Sequence, residues 1–450
     1  MRTAVPPYVG ESKMRTPPLL PSMLFIGLIC ATSAVCAADY YVSPAGTAAW
    51  SECTNIATPC SWQTAMANAV ADDVVLFRGG TYDLGVFASQ PSMLYTRMYP
   101  ANSGTAGHPI TFAAYPGETP ALTGTVTATS QEAWFGCGNE TANRDYISWD
   151  GFSATMIVNS GTRETAVFRA AGDHCTLRNS RFYGVDVGSR PYNTSFVRAE
   201  TASNALIENN YFRDLISVSA SAVNTTAIWV IGIHNLENQI TVRNNTFENC
   251  EGGVYGKGNP QNVTVHNNFM YCGSNTCMDA VYFNRQLEGG VTPNERNVYR
   301  NVIVGYQMAV VSNPDSIATP GLHVYNNTIY SPNNTDDGIY LGGALTGAQV
   351  YNNILANLSP SLRYYDGVVS YSNYNNFYRA AGNVWNRNYA TNYTSLAFWT
   401  AATGFDANSI TSDPLFVNAG GANPEDYKLQ ASSPARTAGR GGAYATVMGA

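Results

Sequence analysis

One lysine stands out among the residues that can do chemistry. Lys257 is the only lysine between residues 38 and 427, in a chain that otherwise places arginine at its basic positions. It lies between Gly256 and Gly258, and a solvated turn lysine is the simpler interpretation. The chemical interpretation is a general base. Removing the proton next to a carboxylate requires a base of lowered pKa, and a cation, arginine or amide that neutralises the carboxylate. Neighbouring positive charge can lower the pKa of a lysine in this way.

A short sequence pattern recurs through the middle of the chain. It indicates the secondary structure that must position this lysine. Its copies end at Ser180, Asn210, Asn245, Asn268, Asn301, Asn327, Asn353 and Asn376. Apolar and polar residues alternate within each copy, which predicts strands, and Gly, Asn, Asp and Pro between the copies predict turns. The copies are 23 to 35 residues apart. Repeats of this length indicate a solenoid, whose units bury their apolar sides only against their neighbours.

We therefore predict an all-β fold, a right-handed single-stranded parallel β-helix with three strands in each coil. Asparagine tolerates a left-handed backbone, and its amide can hydrogen-bond the asparagine of the next coil, about 4.8 Å away. The repeated asparagines are thus expected to form one line along the solenoid. This structural role accounts for nearly all of the asparagine pairs.

Stacking the predicted coils brings several residues onto one outward face. The strands before each repeat place one apolar residue inward and the next residue outward. The inward set is Ile228, Val254, Val281, Val310 and Ile339. The outward aromatic set is Trp229, Tyr255, Tyr282 and Tyr340. Two positions further on stand Ile231, Lys257, Asn284, Asn313 and Gly342, and just before the strands stand Glu251, Asp279 and Asp337.

Two interpretations of this outward face remain open. Flat aromatic rings next to lysine and asparagine suit a groove that binds sugar rings and their hydroxyls. In that case Trp229, Tyr255, Tyr282, Asn284, Asn313 and Tyr340 bind the substrate. The alternative is a ladder of tyrosines that stack on one another and stabilise the sheet.

The two ends of the chain resemble a known group of proteins. Residues 61–69 form a short helical pattern with Ser61 as its N-cap, which would cover the open apolar end of the solenoid. The segments 40–44 (YYVSP) and 79–82 (GGTY) resemble the start of exported pectate-lyase-like β-helix proteins. The segments 413–417 (DPLFV), 427–430 (YKLQ) and 433–435 (SPA) are similar to their last coils. The resemblance covers about residues 39–440 and implies the β-helix fold.

The resemblance also implies roles for particular residues. In β-helix lyases resembling chondroitinase B and alginate lyases, acidic Ca²⁺ ligands precede a catalytic lysine by a few residues, and an arginine follows one coil later. Glu251, Lys257 and Arg285 are placed similarly here. The implied catalytic residues are Lys257 and Arg285, and the implied Ca²⁺ ligands are Glu251 and Asp279. Those families carry two glutamates in an alternating pair. This chain has a counterpart to only one of them, Glu251.

A second carboxylate motif points to glycoside hydrolysis instead. The segment Asn334-Thr335-Asp336-Asp337-Gly338 is similar to the paired aspartates of β-helix hydrolases, in which two carboxylates supply the acid and activate water. The Gly-His-Gly and Arg-x-Lys elements of those enzymes are missing, and a turn explains the segment better. The histidines are scattered and are interpreted as structural: His108, His174, His234, His266 and His323.

The start of the chain predicts export. Met14-Arg15, the apolar run from Leu19 to Val35 and the small-residue pattern around Cys36 are typical of a signal peptide. We expect a signal peptide over residues 1–37 and a β-helix domain over 38–450, with an N-terminal cap at 39–80 and C-terminal coils at 410–450. No later stretch approaches the roughly 20 apolar residues of a membrane helix.

Cysteines that follow a signal peptide are candidates for disulfides. Two pairs each close a short loop and are expected to be bridged: Cys53 with Cys60, and Cys272 with Cys277. Three more cysteines remain in the expected mature chain, and since three cannot all pair, at least one thiol is left over.

Composition limits the partners. The formal net charge of −7 argues against general nucleic-acid binding, which needs Lys and Arg to displace counterions. Arginine suits uronate carboxylates, because a guanidinium binds them through two parallel hydrogen bonds. The expected function is therefore a polysaccharide lyase that cleaves an acidic, uronic-acid glycan by β-elimination. The alternatives are a non-catalytic carbohydrate-binding or cell-surface β-helix protein, and a glycoside hydrolase. We expect a monomer that is secreted or periplasmic.

Overall fold

The computed structural model describes the chain from Asp39 onward. The described residues are 39–87, 90, 95–125, 132–139, 142–157, 165–185, 194–216, 228–235, 237–258, 260–273, 277–284, 295–314, 319–382, 384–441 and 446–450. The predicted signal peptide and Arg285 lie outside them. Neither α-helix in these ranges has the length and apolar character that crossing a bilayer requires.

Three long sheets extend from Asp39 to Tyr393, and most coils contribute one strand to each of them. Sheet A contains β1 (Asp39–Val42), β2 (Val74–Phe77), β5 (Ile110–Ala114), β10 (Ile147–Asp150), β13 (Cys175–Arg178), β16 (Leu206–Glu208), β19 (Thr241–Arg243), β22 (Val263–His266), β25 (Arg296–Tyr299), β29 (Leu322–Tyr325), β33 (Ala348–Tyr351) and β36 (Val369–Asn373).

The second strand of each coil belongs to sheet B. It contains β3 (Gly80–Val86), β6 (Pro120–Thr125), β11 (Ser153–Ile157), β14 (Arg181–Val185), β17 (Tyr211–Arg213), β20 (Thr246–Glu248), β23 (Phe269–Tyr271), β26 (Val302–Val304), β30 (Thr328–Tyr330), β34 (Ile354–Ala356) and β37 (Asn376–Tyr378).

The third strand of each coil belongs to sheet C, which carries the candidate site. It contains β4 (Thr96–Met98), β7 (Ala133–Gly136), β12 (Ala166–Asp173), β15 (Thr194–Ser203), β18 (Ile228–Asn235), β21 (Val254–Gly258), β24 (Asp279–Asn284), β27 (Met308–Ser312), β31 (Asp337–Leu341), β35 (Leu362–Tyr364), β38 (Trp385–Arg387) and β39 (Thr391–Tyr393). Two short pairs are β8 (Gly138–Asn139) with β9 (Ala142–Asn143), and β28 (Thr319–Pro320) with β32 (Leu345–Thr346).

Strands within each long sheet are parallel, apart from β39, which runs antiparallel to β38. The prediction of an all-β parallel β-helix is therefore confirmed. Side chains from all three sheets point inward and form one continuous core, which includes Phe112, Trp149, Phe182 and Phe247. Because each coil rests on the next, the burial of these rings depends on coil-to-coil register.

The corner between sheets A and B explains why asparagines occur in pairs. The first residue of each pair adopts a left-handed backbone, with φ between 52° and 58° at Asn179, Asn209, Asn244, Asn267, Arg300, Asn326, Asn352 and Tyr374. Asparagine tolerates this conformation better than most residues because its short side chain bonds locally. The first position thus makes the turn, and the second position makes the contacts between coils.

The second residue of each pair forms a buried hydrogen-bonded ladder. The Oδ1 of Asn268 accepts from both the backbone N–H and the Nδ2 of Asn245, each at 3.0 Å. In turn the backbone N–H and Nδ2 of Asn268 donate to Oδ1 of Asn301, again at 3.0 Å. The same pattern joins Asn210, Asn245, Asn268, Asn301, Asn327, Asn353 and Asn375. The predicted line of asparagines is confirmed, except that its last rung is Asn375 rather than Asn376.

Helices cover the two ends of the core. Helix α1 (Trp62–Asn68) has the predicted N-cap, since the Ser61 hydroxyl accepts from the Thr64 N–H at 3.1 Å. Helix α2 (Leu396–Thr403) buries Trp399 at the other end. Short 3₁₀ turns occur at Trp50–Glu52, Pro424–Tyr427 and Pro434–Arg436.

The C-terminal segment departs from the sequence-based expectation. In the described part of 410–450, no strand joins the three long sheets, and Ile410 makes only an isolated bridge to Asn376. The segment instead places Phe416, Tyr427 and Met448 against the outer face of sheet B. The expected C-terminal coils are therefore replaced by a tail that covers apolar residues of an outer sheet face.

One predicted disulfide is confirmed and one is not. Cys272 is bridged to Cys277, and Cys137 to Cys175, which is consistent with an oxidising compartment. Cys53 and Cys60 remain buried thiols, so the prediction of a bridge between them is wrong here. Burial raises the pKa of both thiols. The two thiols donate hydrogen bonds to backbone carbonyls instead, Cys53 to Trp50 at 3.1 Å and Cys60 to Tyr41 at 3.6 Å.

The ladder makes a direct prediction about stability. Asn268→Ala should lower the free energy of unfolding by roughly 3 kcal/mol, because it leaves buried donors of Asn245 without their acceptor. Asn267→Gly is the matched control, since Asn267 is exposed at φ 56°, a conformation that glycine adopts readily. Urea unfolding of both variants measures the difference. Equal losses of unfolding free energy in the two variants would contradict the idea that the ladder stabilises the stacking of coils.

Candidate active site

Inward-pointing residues define the register of sheet C. Phe168, Val197, Ile231, Val254 and Val281 align on successive strands β12, β15, β18, β21 and β24, and all are fully buried. Alternation along a strand then turns the next residue of each outward. This outward column consists of Arg169, Arg198, Gly232, Tyr255 and Tyr282.

The next outward column contains the residue that the sequence singled out. Lys257 is aligned with His234 on β18 and with Asn284 on β24. Neighbouring strands are about 4.8 Å apart, so these three side chains leave the sheet side by side. Glu200, two residues beyond Arg198 on β15, lies on the same side of the site.

The predicted register was correct for four strands and wrong for one. Val254, Val281, Val310 and Ile339 align as expected. Strand β18 is displaced by three residues, since Ile231 and not Ile228 is aligned with Val254. Apolar residues occupy both candidate positions, and the sequence pattern alone does not distinguish them. The displacement places His234, rather than Ile231, next to Lys257.

The aromatic residues form a stack instead of an open platform. Trp229 stacks on Tyr255 with ring centroids 4.6 Å apart, and Tyr282 follows at 5.5 Å. Trp229 and Tyr255 are buried, at 3% and 1% exposure, whereas Tyr282 is partly exposed. Tyr340 is nearly buried too, beneath a guanidinium of Arg363. Of the predicted sugar-binding rings, Tyr282 is the one that retains substantial surface.

Two buried arginines lie on one side of this stack, on strands β12 and β15. Arg169 is 1% exposed and Arg198 is 6% exposed. Arg198 pairs with Glu200, whose Oε2 accepts from Nε at 2.6 Å. The Nη2 of Arg169 donates to the Thr201 hydroxyl at 2.9 Å. Together with Lys257 they place three positive side chains on one face, close to the carboxylate of Glu200.

His234 is held in its neutral form. The imidazole is buried, and burial together with the charges of Arg198 and Lys257 lowers its pKa well below the ordinary value. The ring folds over Gly232, where an added Cβ would come within 2.9 Å of Nε2. Glycine at 232 is therefore required for this position of the ring. A neutral imidazole next to a primary amine is an arrangement suited to proton transfer.

The implied calcium ligands do not form a complete cation site. The backbones of Glu251 and Met278 are hydrogen-bonded, so Glu251 and Asp279 lie near one another. Burial raises the pKa of Asp279 to about 7, and its Oδ1 has no hydrogen-bond partner. Among the described residues, however, no group of three or more His, Cys, Asp or Glu residues can hold a metal ion. Calcium requires six to eight oxygen ligands.

The remaining predicted site residues have separate positions. Asn284 is half-buried with an unpaired Oδ1, and it sits beside Lys257 as expected. Asn313 follows β27, and its Oδ1 faces Gly342 and Gly343. Arg285 lies outside the described residues, so its predicted proximity to Lys257 remains a prediction.

The carboxylates of the hydrolase-like motif each have a partner of their own. Asp336 accepts from the Ser331 hydroxyl at 2.7 Å, and Asp337 pairs with Arg363 at 3.0 Å. Burial raises the pKa of Asp337 to about 6, even though Arg363 opposes the shift. Asp337 begins strand β31, and the motif thus forms the turn into that strand. This arrangement favours the turn interpretation over a catalytic pair.

Arg169, Arg198 and His234 were missed by sequence reasoning. Each arginine interrupts an apolar strand at an outward position, and the two are 29 residues apart, close to one repeat. Extending the strand alignment two coils toward the N-terminus would have found them. His234 was interpreted as structural because its strand was aligned three residues out of register.

Comparison with known proteins supports the fold. Residues 165–355 match the family model described as a right handed beta helix region. No curated protein sequence matches the chain. The structure is similar to that of pectate lyase Pel9A, with 17% identity, a TM-score of 0.51, and coverage of 89% of this chain and 91% of that one.

Two further solved structures show weaker similarity. A rhamnogalacturonan lyase has 17% identity and a TM-score of 0.41, with 70% of this chain and 81% of that one covered. The PL6 family alginate lyase AlyGC has 13% identity and a TM-score of 0.45, with 88% and 57% covered. The matched family model and the similarity to pectate lyase Pel9A show that the fold of this chain is a right-handed parallel β-helix.

The neutral state of His234 predicts how stability depends on pH. The lowered pKa means that the unfolded chain binds a proton near pH 6.5 while the folded chain does not. Stability should therefore fall as the pH drops below 6.5. Between pH 7 and pH 5 the native protein should lose about 2 kcal/mol more than His234→Gln.

Unfolding by urea at both pH values provides the measurement. His323→Gln, on the outer face of sheet A, is the control and should keep the full acid sensitivity. The same pH dependence in the native protein and in His234→Gln would show that the imidazole is not held neutral.

Proposed function

We propose that this protein is a polysaccharide lyase that cleaves a uronic-acid glycan by β-elimination on the outer face of sheet C. The observation that carries the proposal is a local concentration of positive charge in an acidic chain. Arg169, Arg198 and Lys257 share one face, although the whole chain has a formal net charge of −7. Lys257 is partly exposed and attracts an acidic polymer even when the protein as a whole is negative, while Arg169 and Arg198 add positive charge from buried positions beneath the face.

Exposure divides the site into contacting and supporting residues. Lys257, Tyr282 and Asn284 are partly exposed, and a bound sugar meets these side chains first. Arg169 and Arg198 lie deeper on neighbouring strands. Their charges act through a medium that screens less than water, which strengthens their attraction for a carboxylate. A guanidinium has five N–H donors, so Arg198 can hold Glu200 and also face the substrate.

The chemistry assigned to the site is a proton abstraction followed by loss of the glycosidic oxygen. Lys257 removes the proton on the carbon next to the uronate carboxylate. The electron pair forms a carbon–carbon double bond, the bond to the leaving glycosidic oxygen breaks, and this oxygen takes up a proton from water to become a hydroxyl group. The arginines and the Asn284 amide stabilise negative charge that builds up on the carboxylate in the transition state.

The assignment rests on the site rather than on the fold, because one fold supports many activities. A uronate glycan is also consistent with the similarity in fold to a pectate lyase. The proposal assigns no step to calcium. It includes export, as the predicted signal peptide implies, so that the enzyme meets polysaccharide outside the cell.

Substitution of Lys257 tests the catalytic role. Lys257→Arg keeps the positive charge but removes a base that can be neutral, and it should lower kcat by at least about 100-fold while KM changes only a few-fold. Ultraviolet absorbance of the unsaturated product, measured over a panel of uronic polymers with and without chelator, gives the rate. Lys428→Ala is the control, since Lys428 is exposed on the C-terminal tail.

Other results would lead to different conclusions. Binding of a uronic polymer without any unsaturated product would indicate the alternative, a non-catalytic carbohydrate-binding protein. Full activity in Lys257→Arg would remove Lys257 from the role of base. Loss of activity in Lys428→Ala as well would show that the effect is not specific to the site.

A further inference from the structure

A β-bulge interrupts strand β15 beside the two arginines. Ala199 is aligned with Ala170 of β12, and Ala202 is aligned with Gly172. Two residues of β15, Glu200 and Thr201, therefore stand opposite a single residue of β12. Bulges of this kind redirect side chains and are frequent next to active sites.

Thr201 adopts a backbone conformation that threonine normally avoids. Its φ is 60°, in the left-handed region, where a β-branched side chain is disfavoured. Such a conformation persists only when surrounding groups hold it. The bulge therefore requires contacts that compensate for this conformation.

The carboxylate of Glu237 supplies the principal contacts. Its Oε1 accepts from the Thr201 N–H at 2.7 Å, and its Oε2 accepts from the Ala202 N–H at 2.5 Å. Glu237 is 4% exposed and comes from the next coil. Burial raises its pKa to about 7, while the two N–H groups and Arg169 favour the ionised form. Both carboxylate oxygens are thus used to hold two consecutive amides of the bulge.

The bulge in turn holds both arginines. Glu200, its first residue, pairs with Arg198 at 2.6 Å. Thr201, its second residue, accepts from Arg169 through its hydroxyl at 2.9 Å. Asn143 adds contacts from the other side, since its Nδ2 donates to the Thr201 carbonyl at 3.2 Å. If Glu200 and Thr201 moved, the side chains of Arg198 and Arg169 would therefore move with them.

We propose that Glu237 is the positioning residue of the site, and that its carboxylate fixes the Glu200–Thr201 bulge so that Arg169 and Arg198 face the bound uronate. The role in substrate binding rests on the proposed function, whereas the role in holding the bulge does not. Glu237 does not touch the substrate in this account. It acts through the bulge.

Glu237→Gln tests the proposal with little change in shape. Glutamine has one acceptor oxygen, and its NH₂ group would face the second backbone N–H. Hydrogen exchange should become at least about tenfold faster at the Thr201 and Ala202 amides, and remain unchanged in the asparagine ladder. A crystal structure of the variant should show Arg169 and Arg198 displaced. On a uronic polymer, KM should rise and kcat should fall, so that kcat/KM drops at least about tenfold, because the displaced arginines bind the carboxylate and stabilise its transition-state charge.

Glu118→Gln is the matched control. Glu118 also accepts a backbone N–H, from Gly79 at 2.5 Å, and it pairs with Arg78, but it lies between β5 and β6 of the early coils. This variant should leave KM and exchange at the bulge unchanged.

The two claims fail in different ways. If the native protein neither binds nor cleaves any uronic polymer, the proposed function fails, and exchange and the crystal structure still decide the role of Glu237. Unchanged exchange at Thr201 and Ala202 with unmoved arginines would overturn the positioning role. So would a KM that rises equally in Glu118→Gln.

Discussion

Buried amide groups determine how each coil lies on the next. Every rung of the ladder from Asn245 to Asn375 offers one carbonyl oxygen to two donors of the preceding rung. A slip of one residue between coils would leave those donors unpaired inside the protein, at a cost of about 1 to 3 kcal/mol for each group. The ladder therefore fixes how neighbouring coils align at the corner between sheets A and B.

The outer faces of sheets A and C use their outward residues differently. On sheet A, His266, Tyr299, Tyr325 and Tyr351 stack with centroids 4.7 to 5.0 Å apart and nearly parallel planes. Each ring covers the face of its neighbour, so these faces are not available to a sugar, and the stack stabilises the sheet. Sheet C buries two arginines and a histidine instead. Burying charge is costly unless it is paired, and a face that only stabilised the fold would not need it.

Much of the fold followed from the sequence, whereas the site followed only in part. The repeat of asparagine predicted the β-helix and the ladder because one polar residue per coil has a single physical use in a solenoid. Lys257 and Asn284 were placed correctly, since β21 and β24 have unambiguous alternation. Strand β18 offered two apolar registers, and only the structure selected between them. The C-terminal tail was mistaken for coils because its apolar residues suit an outer sheet face as well as an inner one. The bulge at Thr201 has no sequence signal, as threonine rarely adopts a left-handed backbone.

A crystal structure of Lys257→Ala with a bound uronic oligosaccharide tests the central claim most directly, because the inactive variant retains its substrate. The account predicts sugar rings on the outer face of sheet C, with one carboxylate directed toward Arg198 and Arg169 and the adjacent carbon facing the position of the missing amine. An oligosaccharide bound on sheet A or sheet B, or on sheet C with its carboxylates turned away from both arginines, would contradict it.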